Sequence, residues 1–211
     1  VKFIREFVRN PRRTGSIAAS SGPVVDMVLQ SLNLTHARSV VELGAGTGAV
    51  THGLVRRLPE AARLLAVEVN PSFAEELRRR FASPRVMVAN RSAVDLPQLA
   101  REYRMPAFDI VVSALPWTLM SADDRETTLD GIISTLAPGG QFVTLTCFHQ
   151  TFLATGRRLR ERLRERFTEV RSLPVVWAAV PPLFAYQCAG PREPMMFDTA
   201  DPGHPGEPVT P

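Results

Sequence analysis

Two carboxylates and three glycines within residues 42–68 carry the clearest chemical signal in the chain. The apolar run Val40-Val41-Glu42-Leu43 breaks into Gly44-Ala45-Gly46-Thr47-Gly48, and a helix is expected over residues 49–58. Glycines let the chain turn tightly and let a ligand approach the backbone where a Cβ would collide with it. The helix start adds unpaired N–H groups. A second apolar run, Arg63-Leu64-Leu65-Ala66-Val67, then ends in Glu68, twenty residues beyond Gly48. A carboxylate at that point is placed to accept two hydrogen bonds from a ribose, so the pattern predicts a nucleoside-containing cofactor.

The glycines alone also fit the Gly-x-Gly-x-x-Ala form used for dinucleotides. Glu42 favours S-adenosylmethionine: just before the turn its charge would attract the amino group of a methionine-like tail and repel a pyrophosphate. The expected cofactor contacts are Glu42, Gly44, Gly46, Gly48, Glu68 and Val69. Ser92 and Ala93 join them on the adenine side, and Ser113 where the sulfonium methyl should pass.

Transfer of that methyl needs a neutral nucleophile held in line and shielded from water. A primary amine is mostly protonated at neutral pH, so it must first lose a proton through desolvation or a nearby base. Base candidates are His149, beyond the fifth strand, then Tyr186 and His36. Trp117, with Trp177 or Tyr186 as partners, can offer an aromatic face to the charge passing from sulfur to nitrogen. Leu115 and Pro116 shape the same passage.

The elements that must position these groups alternate. Strands are expected near residues 39–43, 63–68, 85–89, 109–113, 141–146, 169–176 and 183–188. Helices are expected over 23–32, 49–58, 71–81 and 123–136, with an arginine-rich helix around 157–166. Asn70-Pro71 reads as an N-cap and first-turn pair, and Pro138-Gly139-Gly140 as a turn into the fifth strand. Such alternation implies a mostly parallel sheet with helices on both faces and ligands beyond the strands' C-terminal ends. The last two strands should add an antiparallel edge.

The chain has 211 residues, 45% of them hydrophobic, enough for one substantial core. Cys147 and Cys188 read as buried thiols in a reducing compartment, with no zinc spacing. No run reaches the roughly 20 apolar residues of a membrane span, which predicts a cytoplasmic protein. The formal net charge is +4, and Lys2, Arg5, Arg9, Arg12 and Arg13 stand against Glu6 alone. Phe3, Ile4, Phe7 and Val8 recur at helical spacing among those charges, the pattern of a segment lying in a bilayer interface or capping the domain. Residues 190–211 are rich in proline, glycine and acidic groups and read as a tail.

Taken together, Phe7-Val8-Arg9-Asn10-Pro11-Arg12-Arg13-Thr14-Gly15-Ser16, the run from Glu42 to Gly48, Glu68 and Ser113-Ala114-Leu115-Pro116 resemble the bacterial phospholipid N-methyltransferases. The resemblance implies a Rossmann-like class I S-adenosylmethionine-dependent methyltransferase with a mostly parallel seven-stranded sheet. Its parts would be a membrane-contact segment over 1–19, a catalytic domain over 20–188 and a tail over 189–211. The acceptor would be the amine of phosphatidylethanolamine, reached by a monomer peripheral to the inner face of the cell membrane, with no metal and no nucleic acid. Phe3, Phe7, Arg9, Arg12 and Arg13 would then touch the anionic phospholipid surface or substrate phosphate, and Leu115 and Pro116 the substrate.

Two departures stand out. Arg91-Ser92-Ala93 replaces the family's Gly-Asp-Ala, and Ala114 replaces the glycine of Ser-Gly-Leu-Pro. The alternatives are another amine acceptor or RNA adenine, since Ala114-Leu115-Pro116-Trp117 is similar to the Asn-Leu-Pro-Tyr motif of ribosomal RNA adenine dimethyltransferases. Ala114, however, lacks the side-chain acceptor for an exocyclic amine. A binding protein that keeps the cradle without turnover is the non-enzyme alternative.

Overall fold

The computed structural model describes residues 22–105 and 107–192. In chain order the elements are α1 (Gly22–Gln30), β1 (Ser39–Leu43), α2 (Ala49–Arg57), β2 (Arg63–Val67), α3 (Pro71–Arg80), β3 (Val86–Ala89) and α4 (Leu96–Glu102). There follow β4 (Phe108–Ser113), α5 (Ala122–Thr135), β5 (Leu136–Cys147), α6 (Ala154–Arg166), β6 (Phe167–Ser172) and β7 (Leu183–Pro191). Short 3-10 turns at Ala93–Asp95 and Phe148–Phe152 follow β3 and β5.

The strands form one seven-stranded sheet in the order β3-β2-β1-β4-β5-β7-β6. The five strands from β3 to β5 run parallel, while β7 is antiparallel to both β5 and β6. Alternate strand residues point to opposite faces. Val40, Leu64, Ile110 and Val143 pack with α1, α2 and α3; Val41, Leu65, Val111 and Phe142 pack with α4, α5 and α6. Both faces are therefore covered, which explains the near-continuous apolar runs of β1, β2 and β4. Strand order reverses between β1 and β4, and this switch point opens a crevice at the C-terminal edge.

Local chemistry sets the ends of the elements. Asn70 Oδ1 accepts from Ser72 N–H at 2.9 Å with Pro71 in the first turn of α3, and Ser121 Oγ accepts from Asp124 N–H at 3.1 Å to start α5.

Two expectations change. The sixth strand stops at Ser172, because Pro174 has no N–H for the ladder, and Val176 makes only a single bridge to Leu183. The last two strands add the antiparallel edge as expected: Leu183 to Tyr186 are buried, so β7 takes the inner place, and β6, with Glu169 and Arg171 facing solvent, forms the rim. Pro138-Gly139-Gly140 bulges out of β5, whose register with β4 jumps from Leu136–Phe108 to Gln141–Ile110, with Gly139 at φ 75°. The arginine-rich helix is partly used for packing, since Arg162 pairs with Glu126 at 3.1 Å and Arg166 with Glu126 and Asp130, tying α6 to α5. Residues 1–21 and 193–211, with the expected contacts Phe3, Phe7, Arg9, Arg12 and Arg13 and most of the expected tail, lie outside the described residues; Ala189, Gly190 and Pro191, expected in the tail, instead continue β7, because Ala189 pairs with both β5 and β6 and Pro191 with β6.

Candidate active site

At the crevice the three glycines take different jobs. All have positive φ, 80° at Gly44, 54° at Gly46 and 79° at Gly48, a region that L side chains rarely enter. A Cβ on Gly48 would lie 2.6 Å from Leu77 Cδ2 and 2.9 Å from Phe81 Cε2, so this glycine lets α3 pack against the turn. A Cβ on Gly44 would press on Leu115 at 3.3 Å. On Gly46 it would meet nothing closer than the Gly44 carbonyl at 4.0 Å, leaving open space beside the backbone. Gly48 caps α2 without a side-chain hydrogen bond, and of the first-turn donors Thr51 N–H is held by Glu42.

Two carboxylates stand behind this turn. Glu68 follows β2 and is buried, with Oε2 accepting from Gly46 N–H at 2.8 Å and Oε1 from Asn70 N–H at 2.7 Å. Val69 N–H also bonds the carboxylate, so of its roughly four acceptor sites about one remains for a hydroxyl donor. Burial raises its pKa, opposed by those backbone N–H groups. Glu42 is deeper, 1% exposed, and accepts from Thr51 Oγ1 at 2.6 Å. Burial pushes its pKa up to about 8; the Thr51 hydroxyl opposes the shift and the nearby Glu68 charge adds to it. At neutral pH Glu42 is thus largely protonated until a cation approaches.

The neighbouring strand ends complete the rim. Val69 is exposed beside Glu68, and Asn90 Nδ2 donates to the carbonyls of Glu68 at 2.8 Å and Val69 at 3.1 Å, binding the ends of β2 and β3 together. Ser92 is half-buried and caps the following 3-10 turn, and Ala93 is buried. Ser113 is buried at the end of β4 and accepts from Leu115 N–H at 3.3 Å, while Ala114 N–H donates to Leu43 at 2.9 Å. Leu115 and Pro116 are half-buried at this rim.

Trp117 turns inward. It is 2% exposed, donates from Nε1 to Thr144 Oγ1 at 2.6 Å and meets Phe142 edge-on at 6.5 Å. In this structure the indole is a core element that pins the loop after β4, in contrast to the open aromatic face expected from its position.

Tyr186 lies in register with Thr144. Burial raises its pKa, opposed by Arg160 and Arg164, so the phenol stays protonated and suits a donor rather than a base. It lines a cavity of about 190 Å³ with Phe148, Arg157, Arg160 and Phe184. His149 is exposed on the 3-10 turn next to this cavity and within 3.0 Å of Gln150 Nε2. His36 is exposed ahead of β1, at the opposite edge of the sheet, and Trp177 is largely exposed on the loop before β7. Burial also raises the Cys147 thiol, and takes that of Cys188 to about 12, in keeping with inert core thiols.

Thr51 and Thr144 were not legible as site residues, whereas Asn90 was expected in the loop beside the adenine and Asn70 as the cap of α3. Thr51 had a signal, since it stands in the first turn of the helix that follows Glu42. Thr144 had none beyond its place in an apolar strand.

Residues 40–140 match the family described as a methyltransferase domain. Over 192 residues, 90% of this chain and 96% of the relative, the sequence is 30% identical to an ornithine lipid N-methyltransferase of Singulisphaera acidiphila. The chain belongs to that relative's family, within the class I S-adenosylmethionine-dependent methyltransferases. The methyltransferase shares its fold with an O-methyltransferase from Streptomyces achromogenes involved in tomaymycin synthesis, at TM-score 0.68 and 21% identity over 90% of each chain. It is also 36% identical over 97 residues to ribosomal RNA small subunit methyltransferase A of Acidobacterium capsulatum, covering 44% of this chain and 32% of that one.

Its cofactor is S-adenosylmethionine, and the residues fit an adenosyl ligand: open backbone at Gly46, a doubly accepting Glu68 and an exposed apolar Val69 converge on one crevice. Among the described residues no group of His, Cys, Asp and Glu is arranged to hold a metal, and no helix is long and apolar enough to cross a membrane.

Proposed function

We propose that the methyltransferase methylates the primary amine of a lipid headgroup of the ornithine lipid class. The end-to-end match to an ornithine lipid N-methyltransferase, over 90% of this chain and 96% of the relative, carries this reading. It moves phosphatidylethanolamine from first acceptor to competitor. Both lipids present a primary amine, but an ornithine headgroup carries a carboxylate where phosphatidylethanolamine carries a phosphate.

When bound, S-adenosylmethionine supplies an electrophilic methyl on a sulfonium. Glu68 would hold a ribose hydroxyl, the open backbone at Gly46 would give the ligand its path, with Gly44 and Gly48 shaping the turn around it, and Glu42 would face the amino end. Val69, Ser92 and Ala93 border the adenine, with Ser113, Leu115 and Pro116 along the methyl. The acceptor amine enters beside Leu115 and Pro116, where apolar walls favour its neutral form. Phe3, Phe7, Arg9, Arg12 and Arg13 are assigned to an anionic bilayer surface, and the enzyme works peripherally on it.

An RNA adenine acceptor is the second reading, favoured by the 36% identity over 97 residues to the ribosomal RNA enzyme. The two separate in one experiment. Purified enzyme with labelled S-adenosylmethionine is offered ornithine lipid, phosphatidylethanolamine and ribosomal RNA in parallel. Label in the ornithine lipid at the highest rate supports the proposal, and label in RNA alone overturns it.

A further inference from the structure

The large exposed apolar side chains of the described residues are Val69, Leu119, Phe152, Leu153, Trp177 and Val180. Every one follows the C-terminal end of a strand: Val69 after β2, Leu119 after β4, Phe152 and Leu153 after β5, Trp177 and Val180 after β6. Among the described residues the opposite edge of the sheet has none. Trp177 is 66% exposed, Phe152 68% and Val180 86%, far beyond what a turn requires.

The two richest loops are joined through Phe148, whose ring lies 5.6 Å from Phe152 and 5.0 Å from Trp177. Neither contains a carboxylate: residues 148–156 carry only His149 as an ionisable group, and residues 173–185 carry none. Arg157 and Arg158 stand exposed in the first turns of α6, and Arg157 Nη1 donates to the Phe152 carbonyl at 2.9 Å. Apolar tips backed by aromatic rings and rimmed by arginine match a bilayer interface, with the tips among acyl chains, the tryptophan at headgroup level and the guanidinium groups on anionic phosphates.

We infer that the 148–153 and 173–182 loops form a bilayer-docking edge, with Phe152, Leu153, Trp177 and Val180 entering an anionic membrane and Arg157 and Arg158 holding its headgroups. This inference rests on the lipid-acceptor reading for its purpose, because the same edge holds the crevice. A headgroup could then reach the cofactor without its acyl chains leaving the membrane, and the Phe148–Tyr186 cavity opens directly behind the docking loops.

The test is flotation with vesicles of phosphatidylglycerol and phosphatidylcholine, using the full chain. The variant L153E/V180E places one charge in each loop, and T35E/A61E adds the same charge at exposed positions of the opposite edge. Docking through this edge predicts that L153E/V180E weakens vesicle binding about tenfold or more while T35E/A61E leaves it near wild type. Both variants should bind S-adenosylhomocysteine normally by calorimetry, which certifies the fold; if L153E/V180E does not, L153S/V180S takes its place. Unchanged vesicle binding by the loop variant, or no vesicle binding by the wild type, overturns the inference. Specific vesicle binding without methylation of any lipid keeps the docking edge and removes the acceptor reading instead.

Discussion

Gly46 donates its backbone N–H to Glu68 Oε2 over 2.8 Å, closing the glycine turn onto the end of β2. Glu68 is thus a structural clasp as well as the proposed ribose ligand. Glu68→Ala strands the Gly46 and Asn70 donors and should cost about 1–3 kcal/mol of stability. Loss of the ribose contacts should weaken cofactor binding about tenfold or more. Glu68→Gln keeps one acceptor oxygen and should fall between wild type and alanine in both thermal unfolding and calorimetric titration. Wild-type cofactor affinity in the alanine variant would remove Glu68 from the site.

The glycines allow stability and binding to be separated. Gly48→Ala puts a Cβ 2.6 Å from Leu77 at a positive φ, and should lose about 2–4 kcal/mol through overpacking and backbone strain. Gly46→Ala meets open space, so its strain cost should stay near about 1–2 kcal/mol, while its methyl intrudes where the ligand passes. Chemical denaturation and cofactor titration on the pair should therefore rank them in opposite orders.

Glu42 makes the unliganded fold pH-sensitive in a defined direction. Below pH about 4.5 the carboxyl is protonated in both folded and unfolded chains; above it the unfolded chain ionises, while the folded one holds its proton to about 8. The unfolded state then binds fewer protons, so Glu42's contribution to stability falls as pH rises through that window. Glu42→Gln should flatten this fall and gain relative to wild type at pH 8, as read from urea midpoints at pH 5 and pH 8. A parallel pH dependence in wild type and variant would contradict the buried, neutral carboxyl.

Trp117 should report on folding more than on chemistry. Trp117→Phe removes the Nε1–Thr144 hydrogen bond but keeps an aromatic ring against Phe142, at a cost of about 1–2 kcal/mol. Turnover should stay within about threefold of wild type, since no open indole face is lost. A large fall in kcat at unchanged stability would restore Trp117 to the reacting centre.

Much of the framework was legible because local and global signals agree. The apolar runs at 40–43 and 64–67, the glycine turn and the Asn70-Pro71 cap each dictate their own element, and their alternation dictates the parallel sheet. What escaped depends on partners distant in sequence. Nothing local to Phe167–Ser172 says that it will be the edge, because the choice is made by the buried face of β7. Trp117 reads as a site aromatic from its place after β4, yet its fate is decided by Thr144 and Phe142 on β5. The short helix Leu96–Glu102 was missed because seven residues give barely two turns of periodicity, although Leu96, Leu99 and Ala100 do share its buried face.

The most direct measurement locates the transferred methyl. Enzyme, ornithine lipid in mixed vesicles and S-adenosylmethionine carrying a deuterated methyl are incubated, and the product is fragmented by tandem mass spectrometry. Label on the headgroup's side-chain nitrogen is the predicted result. Label on the carboxylate as a methyl ester, or an unlabelled lipid beside labelled RNA, would contradict the account.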